Sequence, residues 1–220
     1  MKCDFHCHTY YSYDSAAKPE EMVNAALKKG INCLAITDHG EIRGAQKAIE
    51  YAKDKPILII PGIEIKSKEG DILGLNIKEI IPNKLSAKET IKKIKELGGL
   101  AILPHPFGWF CNFKGDLKNL VSEIDGIEVL NASIFGLGNK IALDFAKKYN
   151  LPLTVGSDAH FPNFVGRAYL EIPGENLSIG EILEKIKNKE VKVGGKEASS
   201  LEKVIDHLKR NFTKMFKVLP

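Results

Sequence analysis

Two histidines one residue apart, in Asp4-Phe5-His6-Cys7-His8, are the first residues of this chain with chemistry to offer. Side chains of an extended segment repeat every two residues, so His6 and His8 leave one face and can share a metal ion while Cys7 points away. From these five residues alone, a hydrogen-bonded pair of core histidines reads equally well. Four further segments turn the balance, because each ends an apolar run with a ligand type. Leu34-Ala35-Ile36-Thr37 meets Asp38-His39, Ile57 to Ile63 meets Glu64, Leu100 to Pro104 meets His105, and Leu153 to Ser157 meets Asp158-Ala159-His160. Core packing has no use for imidazole or carboxylate at successive strand ends, where each unpaired polar group costs about 1–3 kcal/mol. A shared metal site removes that cost. The candidate set is His6, His8, Asp14, His39, Glu64, His105, Asp158 and His160, more donors than one tetrahedral ion uses, so two or three ions are implied. Nitrogen and oxygen donors without thiolate suit zinc, manganese or iron rather than calcium or an iron–sulfur cluster. A carboxylate such as Glu64 or Asp158 can bridge ions about 3.5–4 Å apart, and water between them becomes hydroxide near neutral pH.

The apolar runs that carry these residues are short and β-rich, as strands buried on both faces are. Segments of helical period lie between them. Pro19-Glu20-Glu21 opens one that Gly30 ends; Ser86, with Glu89 at capping-box spacing, opens another running to Leu97. Further helices are expected over Glu41–Lys53, Leu137–Tyr149, Ser178–Asn188 and Leu201–Lys214, and Asp71–Asn76 is expected to pair as an extra strand after Glu64 through a turn at Glu69-Gly70. Alternating strands and helices favour a parallel sheet with helices outside it, and about seven such units would close a TIM-like barrel. Barrels of this kind build their sites at the C-terminal ends of strands, where every candidate ligand lies.

With 220 residues, 44% of them hydrophobic, the chain can bury a large core, and one domain over residues 1–220 is expected. A net charge of +4, from 32 basic and 28 acidic residues spread throughout, is too diffuse to argue for nucleic acid but suits an anionic substrate. Cys3, Cys7, Cys33 and Cys111 lack paired spacing and are expected to be reduced thiols in a cytoplasmic protein. No apolar stretch reaches the roughly 20 residues of a membrane span, and no secretory leader is expected.

Taken in order, Asp-x-His-x-His-Thr followed by Ser12 and Asp14, Thr37-Asp38-His39, Gly62-Ile63-Glu64, Pro104-His105-Pro106 and Gly156-Ser157-Asp158-Ala159-His160 resemble the motifs of the polymerase and histidinol phosphatase (PHP) family. The resemblance runs from Asp4 to about Arg167. It implies an α/β fold, a distorted (β/α)7 barrel, with the eight residues above as metal ligands and phosphate-ester hydrolysis as the activity. His160 would also serve as the acid for the leaving oxygen. Two departures matter: Tyr13 intervenes before Asp14, and Asp71 stands where many relatives place a metal-binding histidine, which bears on the third ion.

Phosphate needs a cationic partner, for which Arg167 is the first choice and Arg43 the second, a surface ion pair being the competing role of each. Asn131 is read either as facing the barrel mouth or as a turn residue, and His207 as surface. The aromatics Phe107, Trp109, Phe110 and Phe113, with Phe161 and Phe164, would either stack a nucleobase or cover the barrel. The expected substrate is a small phosphorylated molecule, a nucleotide or short oligonucleotide foremost, not a membrane or long duplex. Histidinol phosphate and 3'-5' exonuclease-like cleavage are the alternatives. A non-catalytic metal-bound scaffold is disfavoured by the nearly complete ligand set.

Overall fold

The computed structural model describes residues 1–109 and 111–217. Its elements run β1 (Lys2–Asp4), α1 (Pro19–Lys28), β2 (Cys33–Ile36), α2 (Arg43–Ala52), β3 (Leu58–Lys66), β4 (Asp71–Leu75), α3 (Ala87–Glu96) and β5 (Leu100–Leu103). After a 3-10 turn at Leu117–Leu120 come β6 (Gly126–Asn131), α4 (Gly138–Tyr149), β7 (Leu153–Gly156), β8 (Ala168–Glu171), α5 (Ile179–Lys187), β9 (Lys192–Gly195) and α6 (Ser200–Phe216). Helix starts follow the expected chemistry. Ser86 Oγ accepts the Glu89 N–H while a Glu89 carboxylate oxygen accepts the Ser86 N–H, so two otherwise unpaired donors of α3 are satisfied.

The sheet order is β7-β6-β5-β4-β3-β2-β1-β8-β9. Its far end curls back to its start: the Phe5 N–H donates to Val155 O at 3.3 Å and the His8 N–H to Ala159 O at 2.8 Å, which brings β7 alongside β1 and nearly closes a barrel. Residues of β2 show how the strands are covered on both sides. Cys33 and Ala35 pack into one apolar cluster with Ile60 and Ile63, while Leu34 and Ile36 pack into another with Met22 and Val23 of α1 and Ala45 and Ala48 of α2. Each fully buried Leu or Ile there contributes about 1.5–3 kcal/mol.

The sheet is less parallel than strand and helix alternation predicts. β4 runs antiparallel to both β3 and β5, and β8 and β9 form an antiparallel pair attached to β1. The hairpin expected at Glu69-Gly70 accounts for β4. β8 and β9 escaped the sequence reading, because their four-residue segments have no sustained apolar run.

Candidate metal centre

The extended backbone around Cys7 does what its two-residue period requires. His6 and His8 turn into the barrel mouth with ring centroids 5.0 Å apart, and Cys7 packs on the opposite side in the cluster under α1 and α2. Gly156 allows β7 to come this close: a Cβ there would lie 2.2 Å from His6 Cβ and 2.5 Å from Glu128 Oε1.

Glu64, at the C-terminal part of β3, is the hub. Its carboxylate lies 3.4 Å from His6 Nε2, 3.3 Å from His8 Nε2, 3.0 Å from His39 Nδ1 and 3.1 Å from His105 Nε2. Asp158 Oδ1 stands 3.3 Å from His8 Nε2, 3.7 Å from His6 Nε2 and 3.5 Å from His160 Nδ1. Asp14 completes the cluster, with Oδ1 3.2 Å from His160 Nε2 and Oδ2 3.5 Å from His39 Nε2. All eight candidate residues therefore meet at one end of the barrel. Three triads bring donor atoms within 4.8 Å of one another: His8, His39 and His160; His6, His8 and Asp158; His6, Glu64 and His105. Two of the eight hold strained backbone, His105 at φ 29° and Asp158 at φ 51°. Such conformations cost of order 1–3 kcal/mol and collect where a side chain must be aimed.

Outer partners set the tautomers. A carbonyl oxygen only accepts, so His160 Nδ1, 3.0 Å from Asp158 O, carries a proton, and Nε2 is the ring atom turned toward the cluster. Ser12 Oγ gives its proton to Asp38 and receives the His39 N–H, which leaves it to accept from His8 Nδ1 at 3.2 Å. His6 Nδ1 faces Glu128 at 3.1 Å, the carboxylate–histidine arrangement that orients a ligand ring. Glu128 also accepts from the His105 N–H and from Asn131 Nδ2. Asn131 thus supports Glu128, and its Oδ1 also accepts the Ser133 N–H of the following turn. Glu128 was absent from the expected set; a lone carboxylate within Gly126-Ile127-Glu128-Val129-Leu130, in a strand buried on both faces, is the signal that marks it.

Charge is separated inside this cluster. Burial opposes charging of His6 and His39, but Glu128, Asp158 and Glu64 hold His6 well above the ordinary imidazole range, and Glu64 and Asp14 raise His39 to about 10. His8 goes the other way: burial, with His160 and His39 nearby, pushes it well below, so it is a neutral donor at pH 7. Glu64 and Asp158 overcome their burial through the surrounding imidazoles and stay ionised. Several donor atoms lie at ion-pair distance without hydrogen-bond geometry, among them His8 Nε2, His39 Nε2, His160 Nε2 and Asp14 Oδ1. Buried donor atoms that converge in this way, once free of protons, fit a cation better than they fit one another.

A cavity of about 270 Å³ opens above the cluster, lined by His39, Glu64, His105 and Asp158 below and by Tyr13, Trp109 and Phe135 at the sides. Tyr13 stacks on His39 with centroids 4.7 Å apart. Asp71, at the start of β4, lines the same space, as do Lys66, its ion-pair partner at 3.1 Å, and Cys111.

The expected cation does not reach this cavity. Arg167 pairs with Glu202 and lies over the Phe164 ring at 5.0 Å, because the turn at Gly166, φ 71°, carries the chain away into β8. Arg43 pairs with Glu41 at 2.6 Å beside Tyr11. Arg210 of α6 lines it instead: its Nη2 is 3.3 Å from Asp14 Oδ2 and its Nη1 4.0 Å from Asp158 Oδ2. His207 is exposed, as expected of a surface residue, yet it too lines the cavity. Of the aromatics, Phe113 and Phe164 are core, Phe107 packs against the core, Trp109 stands at the rim, and Phe110 lies outside the described residues.

Comparison with known proteins places this arrangement. The family model of the PHP domain matches residues 4–171. An uncharacterized protein of Methanocaldococcus jannaschii is 43% identical over 155 residues, 66% of this chain and 90% of the relative. A 5'-3' exoribonuclease of Haemophilus influenzae is 36% identical over 99 residues, 43% of this chain and 36% of that protein. A two-domain Bacteroides vulgatus protein containing a predicted PHP-like metal-dependent phosphoesterase has the same fold, with TM-score 0.77 at 21% identity over 96% of this chain and 69% of that one. A lesion-specific endonuclease of Pyrococcus furiosus does so with TM-score 0.66 at 18% identity over 87% and 57%.

Proposed function

As a member of the PHP domain family the chain is a metal-dependent phosphoesterase, a hydrolase, and we propose that it cleaves phosphate esters of a small substrate, a nucleotide or short oligonucleotide foremost. The observation that carries this reading is the convergence of five imidazoles and three carboxylates beneath one cavity, with ligand-type atoms that hydrogen bonds leave unmatched. His6, His8, Asp14, His39, Glu64, His105, Asp158 and His160 would hold two or three zinc, manganese or iron ions. Bound there, such ions supply Lewis acidity and lower the pKa of water. The chain's own residues do the rest. Glu64, facing four imidazoles, holds the donors in register, and Glu128 and Ser12 fix the rings of His6 and His8. His160, its Nδ1 proton committed to a carbonyl, serves this reading as a ligand rather than as the acid for the leaving oxygen.

Tyr13, Trp109 and Phe135 give the cavity flat apolar walls on which a base could stack, which favours a nucleotide over histidinol phosphate. The likeness to an exoribonuclease supports the same class. The reading is of one domain over residues 1–220 acting in the cytoplasm; no described helix is long and apolar enough to cross a membrane. The test is a panel of phosphorylated metabolites, nucleotides and short oligonucleotides, assayed with metal-stripped protein given manganese, zinc or iron. Turnover that depends on the metal and prefers one ester class is expected. No metal-dependent turnover across the panel, with less than one ion bound per chain, would sink it.

A further inference from the structure

The helix α6 lies beyond the span that the family model matches, and it faces the body the wrong way round for an amphipathic helix. Its buried residues are Lys203 and Asp206, while Leu201, Leu208, Phe212, Met215 and Phe216 are exposed. Its polar side crosses the mouth of the cavity. We propose that α6 supplies the phosphate-binding cations of this centre, Arg210 contacting the non-bridging oxygens of a bound phosphate and Lys214 adding a second positive charge beside it. This deepens the phosphoesterase reading and rests on it.

The geometry is that of a fork laid over two carboxylates. Asp158 turns Oδ1 to the imidazoles and Oδ2 to Arg210 Nη1 at 4.0 Å, while Asp14 gives Oδ1 to His160 and shares Oδ2 between His39 Nε2 at 3.5 Å and Arg210 Nη2 at 3.3 Å. Only Nη2 is within hydrogen-bond distance. Nη1, 3.8 Å from Asp206, has no hydrogen bond among the described residues, so the group lining the cavity keeps donors to offer. Lys214 Nζ lies 3.7 Å from Asp14 Oδ2 and 5.2 Å from the Tyr13 ring centroid, on the same wall. A planar guanidinium matches two phosphate oxygens at once, and a partly buried one does so with little reorganisation.

The helix that carries Arg210 is held near both ends. Near its start Arg167 holds Glu202 and Lys203 holds Glu197. Past its end Lys217 donates to the carbonyls of Tyr10, Ser12 and Ser15, gripping the loop that carries Asp14. A surface ion pair has no need of such anchorage.

The experiment titrates inorganic phosphate into metal-loaded protein by calorimetry, for wild type, Arg210→Ala, Arg210→Lys and Lys214→Met, with metal content and melting temperature measured on each. Arg210→Ala should weaken phosphate binding by about tenfold or more at unchanged metal content, the scale of one lost charge-assisted hydrogen bond. Arg210→Lys should fall between it and wild type, and added guanidinium should restore phosphate binding to Arg210→Ala alone. If Arg210→Ala does not fold, Arg210→Lys and Lys214→Met carry the comparison. Phosphate affinity unchanged in the folded variants, or absent from metal-loaded wild type, overturns the assignment. Phosphate binding that depends on Arg210 in a protein that cleaves no ester would leave the assignment standing and remove the hydrolytic reading.

Discussion

At the scale of single residues, the centre combines neutral and charged donors whose states are set by their neighbours. His8 is neutral at pH 7 and Asp158 ionised, so both are ready to bind a cation. His8→Ala or Asp158→Asn should lower phosphoesterase turnover by about three orders of magnitude or more, since the nucleophile depends on the ions they would hold. Circular dichroism should show the fold intact. Near-normal turnover in metal-replete assays would assign both residues to structure instead. Glu128 acts one step back, through the His6 ring and the His105 backbone. Glu128→Gln should weaken metal binding by about 10–100-fold, read by competition with a chelator. An unchanged affinity would reduce Glu128 to a buried hydrogen-bond acceptor.

At the scale of elements, the contrast between α3 and α6 is instructive. The buried residues of α3 are Ala87, Ile91 and Ile94, an apolar stripe held by burial, and Thr90, whose hydroxyl donates to Ser86 O. The buried residues of α6 are both charged, so ion pairs and the carbonyl contacts of Lys217 fasten it. Salt screens exposed and half-exposed pairs and leaves apolar packing intact or strengthened. Limited proteolysis between residues 196 and 217 should therefore quicken at high ionic strength while cleavage elsewhere does not. Equal rates at low and high salt would mean that α6 is held by something other than charge.

For the whole molecule, the cluster couples folding to pH and metal. In metal-free protein His39, against burial, is raised from 6.5 to about 10 by Glu64 and Asp14. A raised imidazole contributes stability that is complete below 6.5 and disappears as pH rises through about 10. Glu64 and Asp158 are held below their ordinary range, so their contribution is present above it and lost as pH falls. The melting temperature of metal-free protein should thus peak at mildly acidic pH and decline toward pH 10, by scanning calorimetry in chelator. Metal replaces the proton on the imidazoles, so loaded protein should melt higher and lose the alkaline decline. A flat alkaline limb in the metal-free protein would contradict the charged state of His39.

Local rules carried much of this protein. A two-residue period put His6 and His8 on one face, and Ser86 with Glu89 announced the start of α3, because both depend on neighbours along the chain. The motif order pointed to the eight residues that meet at one end of the barrel, four of them against Glu64. Chain proximity misled where a single turn redirects the backbone: Arg167 follows Asp158 and His160 closely, yet Gly166 sends it away. Glu128 carried a weak signal, a carboxylate in a buried strand, but its partner His6 is 122 residues distant and no local rule names it. Arg210 carried none. Charges along an amphipathic helix read as its solvated face, and which face turns inward depends on what the rest of the fold presents. Here the barrel mouth presents carboxylates, so the charged side of α6 turns toward them and its apolar side stays exposed.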